Sequence, residues 1–230
     1  GVQPIIGCQV DLAYVPVEQG KRPEPPASIV LLAQTEAGYM NLMKLNSELY
    51  VDNGGQLPQV SLEALATHSE GLICLTGGPD GPVGRLLRNG QRSKAEGLIR
   101  EMAGSFPDRL YVELQRHPVD GGLPEAERLS ERGHLEIAYD VGLPIVATND
   151  AYFPKSDLYE AHDALICIAQ GAYVDQQEPR RRLTPQHYFK SPEEMATLFA
   201  DLPEALENTV EIARRCAFKA YKRKPILPKF

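Results

Sequence analysis

The chain has 230 residues, 43% of them hydrophobic, enough for one large domain or two small ones with a substantial core. Its formal net charge of -7 excludes a surface that holds nucleic acid by its overall field and leaves only local basic patches for that role. No apolar run reaches the length of a membrane span and no secretory-type start is present, so the expectation is a globular, cytoplasmic chain with no membrane partner.

Pro4 to Tyr14 begins apolar and then alternates, Gln9, Asp11 and Ala13 opposing Val10, Leu12 and Tyr14, which predicts a strand. Val17 to Ala27 is a proline-rich surface loop, Ile29 to Ala33 the next buried strand, and Glu36 to Val51 a helix, after which Asn53-Gly54-Gly55 breaks the chain. Ser61 caps a short helix through Leu65, and Gly71 to Leu75 is a third strand. It runs into Thr76 to Gly84, a glycine-rich stretch with neither Gly-Lys-Ser/Thr nor G-x-G-x-x-G, so a plain turn is expected rather than a phosphate cradle. Helix Gln91 to Ser105, strand Leu110 to Leu114 and helix Pro124 to Val141 follow.

Ile145 to Ala147 is an unbroken apolar run between helical segments, the pattern of a parallel strand buried on both faces, and it ends in Thr148-Asn149-Asp150. Side chains at the C-terminal end of such a strand line the site of an α/β fold, which makes Asp150 the first functional candidate; turn former and helix cap are its ordinary alternatives. Strand and helix alternate at least five times, which predicts a parallel sheet, closed or doubly wound.

Past Phe153 helices take over. Asp157 with Glu160 reads as a capping box for a helix with Leu158, His162, Leu165 and Ile166 inward, and Ser191-Pro192-Glu193-Glu194 and Asp201-Leu202-Pro203-Glu204 repeat the device. The inward positions of these last two helices are Met195, Leu198, Phe199 and Leu202, then Leu206, Val210 and Ala213. The basic runs Arg180-Arg181-Arg182 and Lys219 to Lys224 read as solvated, with phosphate contact the lesser alternative.

Cys8, Cys74, Cys167 and Cys216 form no C-x-x-C pair and lie in or beside apolar segments, as free thiols of a reducing compartment do. Gly1 in place of an initiator Met is consistent with an internal piece of a longer protein. No His-x-His, HExxH or G-x-S-x-G motif occurs. His68 falls in a polar turn, His117 before a proline, His134 on a helix surface, His162 on a packed helix face and His187 after a cap signal: five scattered histidines. Asp11 and Glu113 are conceivable acidic partners for Asp150.

Several stretches, in order, carry a resemblance to a known family: GVQPIIGCQV, SIVLLAQTEAGYMNLMKL, GLICLTGG, FPDRLYVELQRH, LPIVATNDAYF, EAHDALICIA and SPEEMATLFADLPEALENTVEIARRC. Over nearly the whole chain they resemble the polymerase and histidinol phosphatase (PHP) domain of the bacterial DNA polymerase III α subunit. The resemblance implies part of a seven-stranded β/α, distorted TIM-like PHP barrel followed by C-terminal helices. Residues 1–175 would be the barrel portion, its first strands with their His-x-His missing. Residues 176–230 would be the helical end and lead into the polymerase palm.

The resemblance further implies that the whole protein is a DNA-directed DNA polymerase, a nucleotidyltransferase using Mg, whose partners are the proofreading exonuclease subunit, the sliding clamp and DNA. The fragment itself would be non-catalytic, a scaffold for the rest of the α subunit and a dock for the exonuclease. Where metal-holding members carry an acidic residue, His, Cys and a final His, this chain has Gln9, Ser28, Gly78 and Tyr152; Asp150 alone keeps its type. An amide, a hydroxyl and a glycine do not replace carboxylate, imidazole and thiolate, so the resemblance implies a vestigial site and no tightly bound cofactor. The alternative is a metal-dependent phosphoesterase or 3′-5′ exonuclease domain, with ligands supplied by a preceding segment. A third reading, a remodelled polar pocket between Gln9 and Tyr152, stands last.

Overall fold

Three short apolar runs make the centre of the molecule. They form β4 (Leu72–Leu75), β5 (Leu110–Gln115) and β6 (Ile145–Thr148), which lie side by side and parallel with all but the last residues of β5 and β6 buried. Burial on both faces is what an uninterrupted apolar strand requires. The computed structural model describes residues 2–14, 26–51, 57–222 and 224. Within them the sheet has six strands in the order β3-β1-β2-β4-β5-β6, completed by β1 (Gly7–Ala13), β2 (Ala27–Ala33) and the two-residue β3 (Val60–Ser61). Most of the loop expected at Val17 to Ala27, the break at Asn53 to Gly55, Arg223 and the residues after Lys224 lie outside the described residues.

The sheet is mixed, not wholly parallel. β2 pairs antiparallel with both β1 and β4, while β1 pairs parallel with β3. A parallel neighbour needs a crossover of a dozen or more residues, usually a helix, and the proline-rich sequence Val17 to Ala27 carries no helical pattern from which to build one.

Eight α-helices are described: α1 (Glu36–Val51), α2 (Leu62–Thr67), α3 (Pro82–Arg88), α4 (Arg92–Ser105), α5 (Glu125–Val141), α6 (Tyr159–Gln170), α7 (Pro192–Leu198) and α8 (Pro203–Arg215). None is long and apolar enough to cross a membrane. Ser61 caps α2 and Ser191 caps α7, the latter with the full reciprocal box to Glu194, as their sequences predict. The stretch expected to be a plain turn instead holds a 3-10 turn and then α3, begun by Pro82 in its first turn, where proline's missing N–H costs nothing.

One face of the sheet carries the main core. Val10, Leu12, Ile29, Leu31, Val112, Leu114, Ile145 and Ala147 pack there against α1, α4 and α5, and against Phe199, Leu202 and Ala205. On the other face Ile73, Leu75, Tyr111 and Val146 meet Ile212 and Cys216. α8 therefore rounds the outer edge of the sheet, its first turn on one face and its last on the other. At the edge itself the Asn208 Nδ2 donates to the Ile145 carbonyl (2.8 Å), occupying an acceptor that a further strand would otherwise take.

This wrapping corrects two sequence expectations. Val210 and Ala213 are exposed, because a helix passing an edge turns its buried stripe through Ala205 to Ile212. Asp201 does not cap α8, whose N-cap is Leu202; its carboxylate is taken by Arg116. α6 likewise starts without a side-chain cap, and buries Asp163 and Cys167 while Leu158 and Leu165 face outward.

Arg116 joins the layers. From the end of β5 it holds Asp201 through Nη1 and Nη2 (2.6 and 2.9 Å), Glu131 of α5 through Nε and Nη2 (2.9 and 2.8 Å), and the Leu198 carbonyl, and it lies over the Phe199 ring at 4.7 Å. Removing the guanidinium leaves Glu131 unpaired and partly buried, whereas the Asp201 side chain is 63% exposed and can turn to water. Arg116→Ala should therefore cost about 2–3 kcal/mol in a urea titration, less than a fully buried pair, and Glu131→Ala should cost more than Asp201→Ala.

Candidate functional site at the strand ends

The C-terminal ends of β4, β5 and β6 point the same way, and their next residues converge. Glu113, buried at 3% exposure, is the centre. Its carboxylate accepts from the Gly77 backbone N–H (2.9 Å) after β4, from Thr148 Oγ1 (2.5 Å) on β6 and from Gln115 Nε2 (3.2 Å) on its own strand. Its backbone N–H donates to Thr76 Oγ1 (2.9 Å). Burial raises its pKa; the three donors pull it back and the Asp150 charge adds to the rise.

The turn after β4 fits this arrangement only as glycine. Gly77 (φ 83°) and Gly78 (φ 59°) are both left-handed; a Cβ on Gly77 would stand 1.9 Å from the Ser28 carbonyl oxygen, and one on Gly78 would meet the Gln115 carboxamide at 2.8 Å. The Gly77 N–H that might have faced a phosphate is thus consumed by Glu113.

Asp150 stands at the mouth, exposed to solvent, with φ 42°. The surrounding protein raises its pKa by desolvation, with Asp80 adding to the rise, while His117, Arg181 and the hydrogen bond of Tyr152 oppose it. Tyr152 is raised by burial and by Asp150.

Sequence reading left the histidines scattered, but three of the five meet here. His117 is buried, its Nδ1 2.6 Å from Glu127 Oε1 and its Nε2 2.7 Å from the Asn149 carbonyl oxygen, and its backbone N–H donates to Glu127 Oε2 (2.8 Å). The His187 ring stacks on it at 3.8 Å and 2°. Burial, with the His117 ring next to it, pushes His187 down to about 4, and its Nδ1 accepts the Thr184 N–H (3.2 Å). Tyr152 and Phe153 pack against His162 at 5.6 and 5.4 Å. The pairing of 117 with 187 depends on a loop returning from seventy residues away, which no local pattern announces.

Of the residues singled out from sequence, Ser28, Gly78, Glu113, Asp150 and Tyr152 flank this cleft, whereas Gln9 sits exposed on β1 at the other side of the sheet from β6. Ser28 Oγ donates to Asp11 Oδ1 (2.6 Å), so Asp11 pairs across β1 and β2 and does not join Asp150. Among the described residues no group of three or more His, Cys, Asp or Glu side chains is placed to hold a metal ion. An amide, a committed hydroxyl, a glycine, one carboxylate and a phenol are a poor fit to a transition metal, which takes imidazole, thiolate and carboxylate.

Residues 1–117, just over half of the 230, match the model of the PHP domain. The chain belongs to the PHP domain family. Over its whole length it is 51% identical to the DNA polymerase III subunit alpha of Caulobacter vibrioides, 40% to that of Rickettsia bellii and 38% to that of Pseudomonas aeruginosa. It spans about a fifth of these curated relatives, 20%, 19% and 19% of their lengths.

Behind the cleft, Glu113, Gln115, Glu127, Ser130 and His134 line a small polar cavity of about 10 Å³, the room of one water. His134 is not on a helix surface but buried, with no hydrogen-bond partner for Nε2, and desolvation pushes it down to about 4. Its folded pKa lies below the unfolded value, so the unfolded chain binds the extra proton and stability is lost as pH falls from 6.5 toward 4. Across that window wild type should lose about 3 kcal/mol more than His134→Leu, read from urea midpoints at each pH.

Proposed function

We propose that this PHP domain is a non-catalytic scaffold within a DNA polymerase III α subunit, supporting the polymerase core and docking the proofreading exonuclease subunit in the cytoplasm. On this reading the sheet is part of a seven-stranded PHP barrel whose first strands precede β1. DNA synthesis with Mg, and contact with the sliding clamp and DNA, belong to the rest of that protein.

One observation carries the non-catalytic part: the cleft's polar groups are committed to one another. Glu113 has three donors on its two oxygens, the Ser28 hydroxyl is spent on Asp11, and the Tyr152 hydroxyl accepts from Arg181. Catalysis by metal-assisted hydrolysis would need those groups open toward an ion or a phosphate. The whole-chain likeness to α subunits supports the partnership with the polymerase core, since the chain accounts for only a fifth of their length.

A second reading, a metal-dependent phosphoesterase or 3′-5′ exonuclease, draws on the juxtaposition of Asp150, His117 and His187. One assay separates the two. Incubated with manganese or zinc and either a 3′-tailed DNA or nitrophenyl phosphate, the chain should give no turnover above background. Metal-dependent turnover lost in Asp150→Asn, which keeps the left-handed backbone, would reject the scaffold reading. In gel filtration the chain should co-elute with the exonuclease subunit; separate peaks at micromolar concentrations would remove the docking role.

A further inference from the structure

The outward face of α6 is apolar along its whole length. Leu158, in the turn before the helix, and then Ala161, Leu165, Ile168 and Ala169 are exposed and follow one another at helical spacing, with Ala172 in register one turn beyond. At ~100° per residue they share a stripe roughly 120° wide centred on Leu165. Asp163 and Cys167 take the opposite side and are buried. Leu165 is 62% exposed and Ile168 78%, and Tyr173 and Val174, just past the helix, are 75% and 54% exposed. A helix on the outside of a finished domain turns polar groups to water, and this stripe contains none.

The face is held in place from behind. Arg180 grips Asp163 with both Nη atoms (2.7 and 2.6 Å), the two side chains 4% and 10% exposed. Arg180 and Arg182 each donate through Nη2 to the Val174 carbonyl (3.1 and 3.0 Å). Left-handed Gly171 ends the helix, and the Ala172 N–H returns to the Cys167 carbonyl (2.9 Å). Arg180 and Arg182 thus brace this corner instead of standing in solvent, which corrects the sequence expectation for the arginine run. A surface already ordered loses little conformational freedom when it is covered.

Spacing and size say what covers it. Apolar side chains at steps of three and four form the rows along which one helix packs on another. Leu158, Leu165, Ile168, Tyr173 and Val174 together present on the order of 500 Å², a patch of the size that is commonly functional on a monomer. A stable complex of separate chains buries about 800 Å² on each partner, so a second copy or a free subunit would hold weakly by this face alone. A segment of the same polypeptide meets it at an effective concentration of roughly millimolar, where a contact of this size is kept. The α-subunit relatives are about five times as long as this chain, which spans 20%, 19% and 19% of them.

We propose that the outward face of α6 is covered by an apolar helix from the remaining four-fifths of an α subunit, and is the seam along which this domain bears on the polymerase core. The proposal rests on the reading of the chain as part of such a subunit and gives the scaffold its contact surface.

The test is cysteine labelling of the whole α subunit with a maleimide, read peptide by peptide in a mass spectrometer. I168C lies in the stripe; E160C, exposed on α6 outside it, is the internal control. With each rate divided by that of the same cysteine in urea, I168C should react at least tenfold more slowly than E160C, at a rate unchanged by dilution or by added exonuclease subunit. If circular dichroism shows that I168C does not fold, L165C is read by the same criterion. Matching rates would overturn the proposal. So would protection that fades on dilution, the mark of a second copy, or protection that appears only with the exonuclease subunit. Matching rates without metal-dependent turnover in the assay above would remove this surface and leave the scaffold reading standing.

Discussion

The Glu113 carboxylate is the constraint on which the strand-end architecture depends. A carboxyl taken out of water costs several kcal/mol unless donors replace the lost hydration, and here they come from three places: a backbone N–H after β4, a hydroxyl on β6 and an amide on β5. Because each donor belongs to a different stretch, satisfying one buried group fixes the relative position of three. The left-handed glycines after β4 follow from it, since only a chain without side chains can pass close enough to Ser28 and Gln115 to present that N–H.

A second tier of polar contacts repeats the pattern further out. His117 with Glu127 ties the end of β5 to α5, and Arg116, the preceding residue, ties it to α5 and to the turn before α8. Consecutive residues leaving one strand thus serve different layers. The helices after residue 190 share the main core through Phe199, Leu202 and Ala205, and α8 carries that attachment round the sheet edge to the second face. What might have been a loose tail is part of how the sheet is closed off at β6.

The apolar runs of β4, β5 and β6 and the serine caps of α2 and α7 were legible in the sequence because each rests on contacts within a few residues. The opposed direction of β2 was not, because an alternation of apolar runs and helical segments carries no information on which way a strand points. Helix faces were misread where packing is not uniform along the helix: α8 changes partners midway, and α6 turns Leu158 and Leu165 outward while burying Asp163 against Arg180. The cleft was legible only in part. Asp150 and Glu113 stand at the ends of recognisable strands, whereas His187 stacks on His117 from a stretch without helix, and a residue delivered by tertiary contact leaves no periodic mark. His134 escaped for a related reason, since a polar residue facing α5's interior side looks on paper like one facing water.

The left-handed backbone at Asp150 bears on how its identity should be understood. At φ 42° most side chains are strained by roughly 1 kcal/mol or more, and Asp, Asn and Gly are the residues that tolerate it best. An acid at that position is therefore favoured by the shape of the main chain as it leaves β6, whatever its oxygens touch. The main chain at this point thus accounts for an acid there without appeal to ligand chemistry.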